Sequence, residues 1–228
     1  MAKFHFVEDY EKLVSDLLSM HPIDRAMELA VGGHYQAMGQ IQCNIVTHVG
    51  LKSGMTIFDL GCGSGRLAHA LGKSGLLVDY IGTDIVQSLL DYAQTKAPRN
   101  YRFLLNHSLT VPLPDASVDM ASAFSVFTHL LHHETYLYLE DLHRVVKPGG
   151  RVIFSFLEFF EPNHWEMFRK TVDDQRVKSS PVLNTFIERN AIEVWCGKLG
   201  FEVETFYWGL HRINDSDPLG QAVAVLKR

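Results

Sequence analysis

Three glycines alternate with other residues directly after a short apolar run in IFDLGCGSGR, residues 57–66. Glycine lacks a β-carbon, so Gly61, Gly63 and Gly65 permit a tight strand-to-helix turn and let a ligand approach the backbone. Asp84 ends the next apolar run, YIGTD, about 20 residues farther along the chain. A carboxylate at that place accepts hydrogen bonds from both hydroxyls of a ribose. Together these residues predict a site for a ligand that carries a ribose.

The same residues also have a purely structural interpretation. The glycines can make only a tight turn, and Asp84 can cap the helix that follows it. The sequence has a strand, the glycines, a helix, a second strand and the acid in this order and in register. This order favours the ligand-binding interpretation. The spacing is G-x-G-x-G, and Arg66 stands where the dinucleotide fingerprint has its last glycine. This difference weakens the case for a nicotinamide cofactor.

Histidines are concentrated in the stretch FSVFTHLLHHE, residues 124–134. Histidine is the natural proton acceptor near neutral pH, and His129 comes first after the apolar run. We therefore take His129 as the candidate catalytic base, with His132 and His133 as alternatives; a surface or core role is the competing interpretation. Adjacent histidines cannot both face one ion from a regular helix, and no carboxylate has the matching spacing, so we predict no metal site.

The surrounding pattern predicts a doubly wound α/β fold. Short β-type runs alternate with helical ones, which builds a mostly parallel sheet with helices on both faces. The predicted strands cover residues 55–61, 78–84, 101–106, 118–126, 150–157, 201–208 and 222–228. The predicted helices between them cover residues 65–73, 87–95, 134–146 and 191–200. Apolar residues at helical spacing from Asp9 to His48, with breaks at HP and VGG, predict two or three helices forming an N-terminal cap.

The segment at 158–190 interrupts this alternation and looks like an insertion over the carboxyl edge of the sheet. It carries aromatic residues at one end, including Phe159, Phe160, Trp165 and Phe168. Such side chains beside polar groups are typical of ligand sites, so the insertion is a candidate acceptor pocket or lid. Packing of the same aromatic residues onto the sheet is the alternative.

Composition limits the class of protein. The chain has 228 residues, 46% of them hydrophobic, and a formal charge of −5, so we expect one globular domain and no nucleic-acid partner. The three cysteines are widely separated and lack C-x-x-C spacing, which fits a reducing cytoplasm. No apolar run reaches the roughly 20 residues that span a bilayer, so we expect no membrane association. The oligomeric state stays open.

Four stretches in order along the chain resemble the successive motifs of the class I S-adenosylmethionine-dependent methyltransferases. They are FDLGCGSGR, YIGTD, PLPDASVDMASAFSVFTHL and LHRVVKPGGRVIFSF. The resemblance covers roughly residues 50 to 157. It implies S-adenosylmethionine as the cofactor and a seven-stranded sheet in the order 3-2-1-4-5-7-6, whose last two strands are antiparallel. The core would then be residues 51–157, after a cap at 1–50 and before the insertion at 158–190 and a C-terminal part at 191–228.

The resemblance also assigns the cofactor contacts. Asp59 and the backbone at Gly61, Cys62 and Gly63 would face the methionine portion of the cofactor. Asp84 would hold the ribose hydroxyls. The remaining contacts it implies are Ile85 against the adenine, His107, Asn106 or Ser108 at the adenine amino group, and Phe124 with Ser125 beside the sulfonium. The family commonly has an acidic residue at the amino-group position, which this chain lacks.

The function predicted from these observations is methyl transfer from S-adenosylmethionine to an oxygen or nitrogen of a small molecule. Two alternatives remain at this point. One is an NAD(P)-dependent oxidoreductase on a similar sheet, and the other is a nucleoside-binding module without catalysis. In the cap, Tyr35 would either close over the cofactor or pack within the cap, and His34 is a second-choice proton acceptor.

Overall fold

The computed structural model describes residues 7–177, 183–214 and 216–228. The chain divides into two compact units, Met1–Ser108 and Leu109–Arg228. The first contains five helices and three strands among its described residues: α1 (Val7–Met20), α2 (Ile23–Ala30), α3 (Tyr35–His48), β1 (Thr56–Leu60), α4 (Arg66–Lys73), β2 (Asp79–Asp84), α5 (Gln87–Lys96) and β3 (Arg102–Leu105). The single-domain organisation expected above stays a prediction.

The second unit contains the other four strands and three more helices among its described residues. They are β4 (Val118–Ala123), α6 (His132–Val145), β5 (Val146–Phe156), α7 (Pro162–Arg176), α8 (Arg189–Leu199), β6 (Glu202–Tyr207) and β7 (Ala222–Lys227). A short 3-10 turn at Phe127–His129 follows β4. The helix α7 occupies part of the predicted insertion, and residues 178–182 of that insertion lie outside the described residues.

The seven strands have the order β3-β2-β1-β4-β5-β7-β6. Strand β2 pairs in parallel with both β1 and β3, and β4 pairs in parallel with β5. Strand β7 pairs antiparallel with β5 and with β6. The predicted α/β class, the mostly parallel sheet and the strand order are confirmed. Strands such as β1 are buried along almost their whole length, as expected when both faces of a parallel sheet are covered.

The cap forms three helices, with breaks at the two places that the sequence indicated. Pro22 precedes α2, where a proline lacking an N–H is tolerated. Gly32 and Gly33 separate α2 from α3 with φ values of 87° and 82°, which side chains disfavour. The cap packs Val14 and Met27 against residues that follow β2, including Val86. The cap therefore covers the chain directly after the second strand.

Strand β5 begins earlier than the sequence indicated. The sequence pattern predicted this strand at residues 150–157, but the strand already begins at Val146, which pairs with Val118, and includes the Pro-Gly-Gly stretch at 148–150. Gly149 takes a φ of 82°, and its N–H donates to the carbonyl of Arg228. Pairing with the end of the chain keeps this glycine-rich stretch within the strand.

Candidate functional site

The glycine turn after β1 has the backbone that the sequence predicted. Gly61, Gly63 and Gly65 have φ values of 63°, 57° and 85°, all in the left-handed region that glycine favours. The Gly65 N–H donates to the Cys62 carbonyl over 3.1 Å, which closes the turn before α4. The Cys62 N–H donates to the carbonyl of Thr83 in β2 over 2.9 Å. The turn is therefore tied to the neighbouring strand at the carboxyl edge of the sheet.

The Cys62 side chain packs into the sheet, and only the backbone of Cys62 takes part in the turn. A β-carbon at Gly82 of β2 would lie 2.7 Å from the Cys62 sulfur, so glycine is required there. Burial raises the pKa of the Cys62 thiol, and the charges of Asp84 and Asp59 act in the same direction. The thiol is therefore protonated at neutral pH and unreactive.

Asp84 is oriented by two backbone donors at the end of β2. Its carboxylate accepts the Gly63 N–H over 2.9 Å through one oxygen and the Val86 N–H over 3.0 Å through the other. A carboxylate has about four acceptor sites, more than these donors occupy. Burial raises the pKa of Asp84, and the backbone N–H groups of Val86, Gly63 and Ile85 act to lower it. Asp84 therefore supports the turn, and its contact with a ribose stays a prediction.

Asp59 is buried at the end of β1 and accepts the Tyr80 phenol over 2.6 Å. The first residue of α4, Arg66, lies in its electrostatic range. Burial lowers the pKa of Arg66, and the opposite charge of Asp59 acts to raise it. An acid and a base thus flank the glycine turn, and a zwitterionic group carrying an ammonium and a carboxylate needs both.

The cap supports the glycine turn from the other side. The Ser64 hydroxyl donates to the Met27 carbonyl over 3.1 Å, and the Tyr35 phenol donates to the Ser64 carbonyl over 2.9 Å. A β-carbon at Gly63 would lie 2.7 Å from Cγ1 of Val31. These contacts tie Tyr35 to the turn, and the two roles considered for it, closing over the cofactor or packing within the cap, stay predictions.

The segment after β3 lies beside the end of β2. Nε2 of His107 is 2.8 Å from the Ile85 carbonyl. A carbonyl only accepts, so this nitrogen carries the proton and Nδ1 is left as an acceptor. Asn106 and Ser108 bond to each other, side-chain amide to backbone, over 3.1 and 3.2 Å. Of the three residues considered for the adenine amino group, His107 offers a ring acceptor without a partner among the described residues.

In the second unit, the chain leaves β4 through a strained residue. Phe124 is buried, and Ser125 has a φ of 58°, which is uncommon for a residue other than glycine. The Ser125 N–H donates to the hydroxyl of Ser155 in β5 over 2.7 Å. The hydroxyls of Ser125 and Ser155 both donate to Oε1 of Gln221, over 3.1 and 2.6 Å. Strain held by surrounding contacts is common at functional sites.

His129 follows in the 3-10 turn and is held by the backbone. Its Nδ1 is 2.7 Å from the Leu183 carbonyl, so Nδ1 carries the proton and Nε2 is the unprotonated ring nitrogen. Burial lowers the pKa of His129, and the carbonyl acts to raise it. The ring is therefore neutral at pH 7, as a proton acceptor must be. Its neighbour His132 bonds through Nε2 to the Phe186 carbonyl over 3.1 Å and packs on Trp195, whereas His133 is exposed.

The aromatic residues of the predicted insertion form a cluster at the start of α7. Phe159 stacks on Phe186 with ring centroids 4.9 Å apart, and Phe168 packs edge-on to both. Trp165 lies 5.3 Å from Phe168 and remains 45% exposed. Phe160, 74% exposed, packs instead on Trp208. The cluster thus packs part of the insertion internally and leaves aromatic surface at its edge.

A buried polar network lies under this cluster. Glu158, 3% exposed, pairs with Arg189 through two parallel contacts of 2.6 and 3.0 Å. Nδ1 of the fully buried His164 accepts the Glu158 N–H over 3.2 Å, and its Nε2 donates to the Gly220 carbonyl over 3.0 Å. Glu161 accepts the Gly209 N–H through both oxygens over 2.8 and 2.9 Å. The network fixes the loop that leads into β7.

Comparison with known proteins adds a family to this geometry. Residues 58–154 match the model of a family described as "Methyltransferase domain". The match covers the glycine turn, Asp84 and His107, together with β4 and most of β5.

Residues 58–154 are therefore identified as a methyltransferase domain.

Curated relatives of this methyltransferase domain act on different acceptors according to their names. A malonyl-[acyl-carrier protein] O-methyltransferase from Serratia marcescens is 26% identical over 195 residues, 84% of this chain and 72% of that protein. A demethylmenaquinone methyltransferase from Lactococcus lactis is 32% identical over 114 residues, 46% of this chain and 43% of that protein. The chain thus spans about half the length of relatives such as the latter.

A solved structure shares the fold of this chain over nearly its full length. Magnesium protoporphyrin IX methyltransferase from Synechocystis, solved with bound S-adenosylhomocysteine (SAH), has a TM-score of 0.66 and 19% identity, and covers 97% of this chain and 96% of that one. At this identity the similarity supports the fold. The cofactor of the family is S-adenosylmethionine.

The first unit brings several of the predicted cofactor residues together. The Asp84 carboxylate, the glycine backbone and the pair of Asp59 and Arg66 lie around one turn. Ile85 is partly buried and packs against the cap cluster. The residues predicted from Asp59 to Ser108 thus lie together in one unit, while Phe124 and His129 belong to the other.

Several residues around these sites were not found from the sequence. Arg66 was noted only as a departure from a motif, and Tyr10 of α1, whose phenol pKa is raised by burial and by the charge of Asp84, was not noted at all. Ser155 and Gln221 are 66 positions apart and had no shared motif. The one available signal was a serine inside the apolar run IFSFL, since a buried polar side chain needs a partner.

Two kinds of feature are absent from the described ranges, 7–177, 183–214 and 216–228. No helix there combines the length and apolar character needed to cross a bilayer. No group of three or more histidine, cysteine, aspartate or glutamate side chains there could hold a metal ion.

Proposed function

We propose that this protein transfers the methyl group of S-adenosylmethionine to an oxygen or nitrogen atom of a small-molecule acceptor. The observation that carries the proposal is Asp84 at the carboxyl end of β2, whose two oxygens are oriented by the N–H groups of Gly63 and Val86 beside the glycine turn. The relatives named above support a small acceptor group, because their names specify a demethylmenaquinone and a malonyl group on a carrier protein.

The first unit would bind the cofactor at the carboxyl ends of β1 and β2. Asp84 would accept the two ribose hydroxyls, while the N–H groups at the Gly61–Gly63 turn and the charges of Asp59 and Arg66 would bind the methionine end. Ile85 would lie against the adenine ring. Nδ1 of His107 would accept a proton of the adenine amino group, because its Nε2 is already committed to the Ile85 carbonyl.

The cofactor supplies a methyl group on a positively charged sulfur, which is already activated for attack. The protein has to align an acceptor atom, exclude water and, for a hydroxyl or ammonium acceptor, remove a proton. His129 suits the last task because the Leu183 carbonyl holds the proton on Nδ1 and burial keeps the ring neutral. Phe124, buried after β4, would border the acceptor entrance.

Methyl transfer is tested with S-adenosylmethionine labelled on the methyl group and a panel of hydroxyl-, carboxyl- and amine-bearing acceptors. We expect SAH binding by calorimetry, and label in at least one acceptor. NAD⁺ and NADP⁺, titrated in the same way, test the oxidoreductase alternative and should give no heat. An absence of SAH binding, or binding of SAH with no labelled acceptor across the panel and a metabolite extract, would contradict the proposal.

A further inference from the structure

Gln221 stands at the carboxyl edge of the sheet in the second unit. Strand β7 runs antiparallel to β5, with Ala222 opposite Phe156. The residue before Ala222 therefore lies just beyond the end of β5, at the edge where parallel α/β sheets bind their ligands. Gln221 is half-buried there. Its position follows from the strand pairing and was not predicted from the sequence.

The oxygen of the Gln221 amide is occupied by two hydroxyl donors. The hydroxyl of the fully buried Ser155 donates to Oε1 over 2.6 Å, and the hydroxyl of Ser125 donates over 3.1 Å. Ser155 in turn accepts the Ser125 N–H over 2.7 Å. Because both donors bind the oxygen, the amide cannot rotate freely, and its N–H₂ group is directed away from the two serines.

The backbone beside Gln221 is fixed as well. The carbonyl of Gly220 accepts from Asn163 Nδ2 and from His164 Nε2, each over 3.0 Å. The Gly220 N–H donates to the Gly209 carbonyl over 2.8 Å. His164 is itself fully buried. The side chain thus starts from a rigid backbone, as functional groups that must hold a set direction do.

The two N–H donors of Gln221 are the unused part of this arrangement. Among the described residues, none accepts a hydrogen bond from this N–H₂ group, while Oε1 receives two. Neighbouring Ser125 has a φ of 58°, a cost of about 1–3 kcal/mol that its contact with Ser155 helps to offset. A strained residue, a fixed amide and two open donors at a ligand-binding edge indicate a binding role.

We propose that the Gln221 amide N–H₂ group is a specificity determinant that binds an oxygen of the methyl acceptor. The acceptor class is a small molecule that carries a hydroxyl, carbonyl or carboxylate oxygen beside the methylated atom. The inference rests on the proposed function, which makes the bound molecule a methyl acceptor. The binding of an oxygen at Gln221 is measured independently of methyl transfer. Gln221 makes no covalent step; it positions the ligand.

The test uses three probes with one aromatic body: 1-naphthol, 1-naphthoate and naphthalene. They are titrated into ¹⁵N-labelled full-length protein, with and without SAH, while the side-chain N–H₂ resonances of Gln221 are followed. The resonances are assigned by their loss in Gln221→Met. We expect 1-naphthol or 1-naphthoate to shift them and naphthalene, which lacks the oxygen, to leave them in place. If neither oxygen probe shifts them, or naphthalene shifts them equally, the proposal is wrong.

Two variants separate binding from structural support. Gln221→Glu keeps an oxygen for the serine hydroxyls but replaces the N–H₂ donors with a second oxygen. We expect the affinity for the probe that binds to fall about tenfold in Gln221→Met and further in Gln221→Glu for the anionic 1-naphthoate. The SAH affinity should change less than about twofold. Wild-type probe affinity in both variants would overturn the inference.

Ser125→Gly provides a variant that relieves the backbone strain while removing one donor to Oε1. It should fold, because glycine accepts the φ of 58° without cost. We expect the Gln221 N–H₂ resonances to broaden and the probe affinity to fall, since the amide is then held by Ser155 alone. Unchanged resonances and affinity would also count against the proposal. If SAH fails to bind the wild type, the proposed methyl transfer is wrong. The probe titration still tests the role of Gln221 in that case.

Discussion

Individual side chains in this protein serve the fold and the proposed site at the same time. Asp84 holds the glycine turn through the Gly63 N–H and still offers acceptor sites. The Leu183 carbonyl holds Nδ1 of His129 and fixes the ring, whose other nitrogen, Nε2, does not carry the proton. In both cases a backbone group fixes the orientation of a polar side chain, and the remaining lone pairs are the part available for chemistry.

Replacing Asp84 by alanine should weaken the binding of SAH. The loss of charge-assisted hydrogen bonds predicts a decrease of about 1.5–3 kcal/mol, or roughly 10–150-fold in Kd by calorimetry. Asp79→Ala is the matched control, because Asp79 is an exposed carboxylate at the opposite end of the same strand. Equal affinity in wild type and Asp84→Ala would remove the ribose assignment.

The same carboxylate predicts a pH dependence. Burial raises the pKa of Asp84, so protonation begins at a higher pH than for an ordinary aspartate. Because the charged form is the better acceptor, SAH affinity should fall as the pH is lowered toward this raised pKa. The fall should be absent from the residual binding of Asp84→Ala. A pH-independent wild-type affinity down to the usual aspartate range would contradict this.

His129→Ala should lower turnover about a hundredfold and leave SAH affinity almost unchanged, since the ring acts on the acceptor. His133→Ala is the control, because His133 is an exposed histidine of the same stretch. Burial lowers the pKa of His129 below the ordinary 6.5, so the acid limb of the kcat profile should lie below pH 6.5 and be lost in the variant. If turnover survives in His129→Ala, His129 is not the base and another group has that role.

The cap and the glycine turn pack as one set of elements. Val31, at the end of α2, leaves no space for a side chain at Gly63, and Tyr35 and Ser64 tie α3 to the turn. A glycine at position 63 is therefore required by the cap as well as by any ligand. Among the elements, the glycine turn is therefore a packing feature, and its side away from the cap is bare backbone.

Gly63→Ala should reduce the free energy of unfolding by about 1–3 kcal/mol in a urea titration, through the unfavourable φ of 57° and the contact with Val31. Gly75→Ala isolates the backbone contribution, because its φ is 80° and no atom lies within 4 Å of its β-carbon position. Adding Val31→Ala to Gly63→Ala should recover the part of the stability loss by which Gly63→Ala exceeds Gly75→Ala. Equal losses for Gly63→Ala and Gly75→Ala would show that the contact with Val31 has no cost.

The buried pair between Glu158, which follows β5, and Arg189 of α8 predicts that the single variant Arg189→Met loses more stability than the double variant. Arg189→Met leaves Glu158, 3% exposed, as an unpaired buried charge, which costs about 3–5 kcal/mol. Glu158→Gln combined with Arg189→Met removes the unpaired charge and should recover much of that stability. Thermal and urea unfolding would measure both. A double variant as unstable as Arg189→Met would assign the loss to the packing of Arg189 on Trp208, 4.1 Å away.

On the scale of the whole molecule, the two units carry different parts of the proposed reaction. The residues proposed for the cofactor, from Asp59 to Ser108, lie in the first unit, and His129, Ser125 and Gln221 lie in the second. Cofactor binding and acceptor binding should therefore respond to different substitutions. This separation makes the proposed function and the role of Gln221 independently testable.

Ligand binding should stabilise the folded protein by mass action. At about 100 times its Kd, SAH should add ~2.7 kcal/mol, equivalent to a rise of roughly 5–10 °C in Tm for a chain of this size. NAD⁺ at the same concentration should give no rise, and Asp84→Ala should lose most of the SAH effect. A larger rise with NAD⁺ than with SAH would favour the oxidoreductase alternative.

Most of the fold could be predicted from the sequence because its signals are local. Alternating β-type and helical runs located every strand, and Pro22 and Gly32–Gly33 located the breaks in the cap. The early start of β5 could not be predicted, because its first residues are kept in the sheet by pairing with Val118 and Arg228, which are distant in sequence. Local turn propensity is overridden there by hydrogen bonds from elsewhere.

By itself the sequence determined the sheet order, through its resemblance to a family, and the residues proposed to bind the cofactor, through a glycine spacing and an acid. Only the tertiary structure decided which backbone groups orient the polar side chains, such as the Ile85 carbonyl at His107 and the Leu183 carbonyl at His129. It alone brought Gln221 to Ser125 and Ser155. The reason is physical: a motif is encoded by neighbours along the chain, whereas the orientation of a polar group is set by whichever donors and acceptors the fold places within about 3 Å of it.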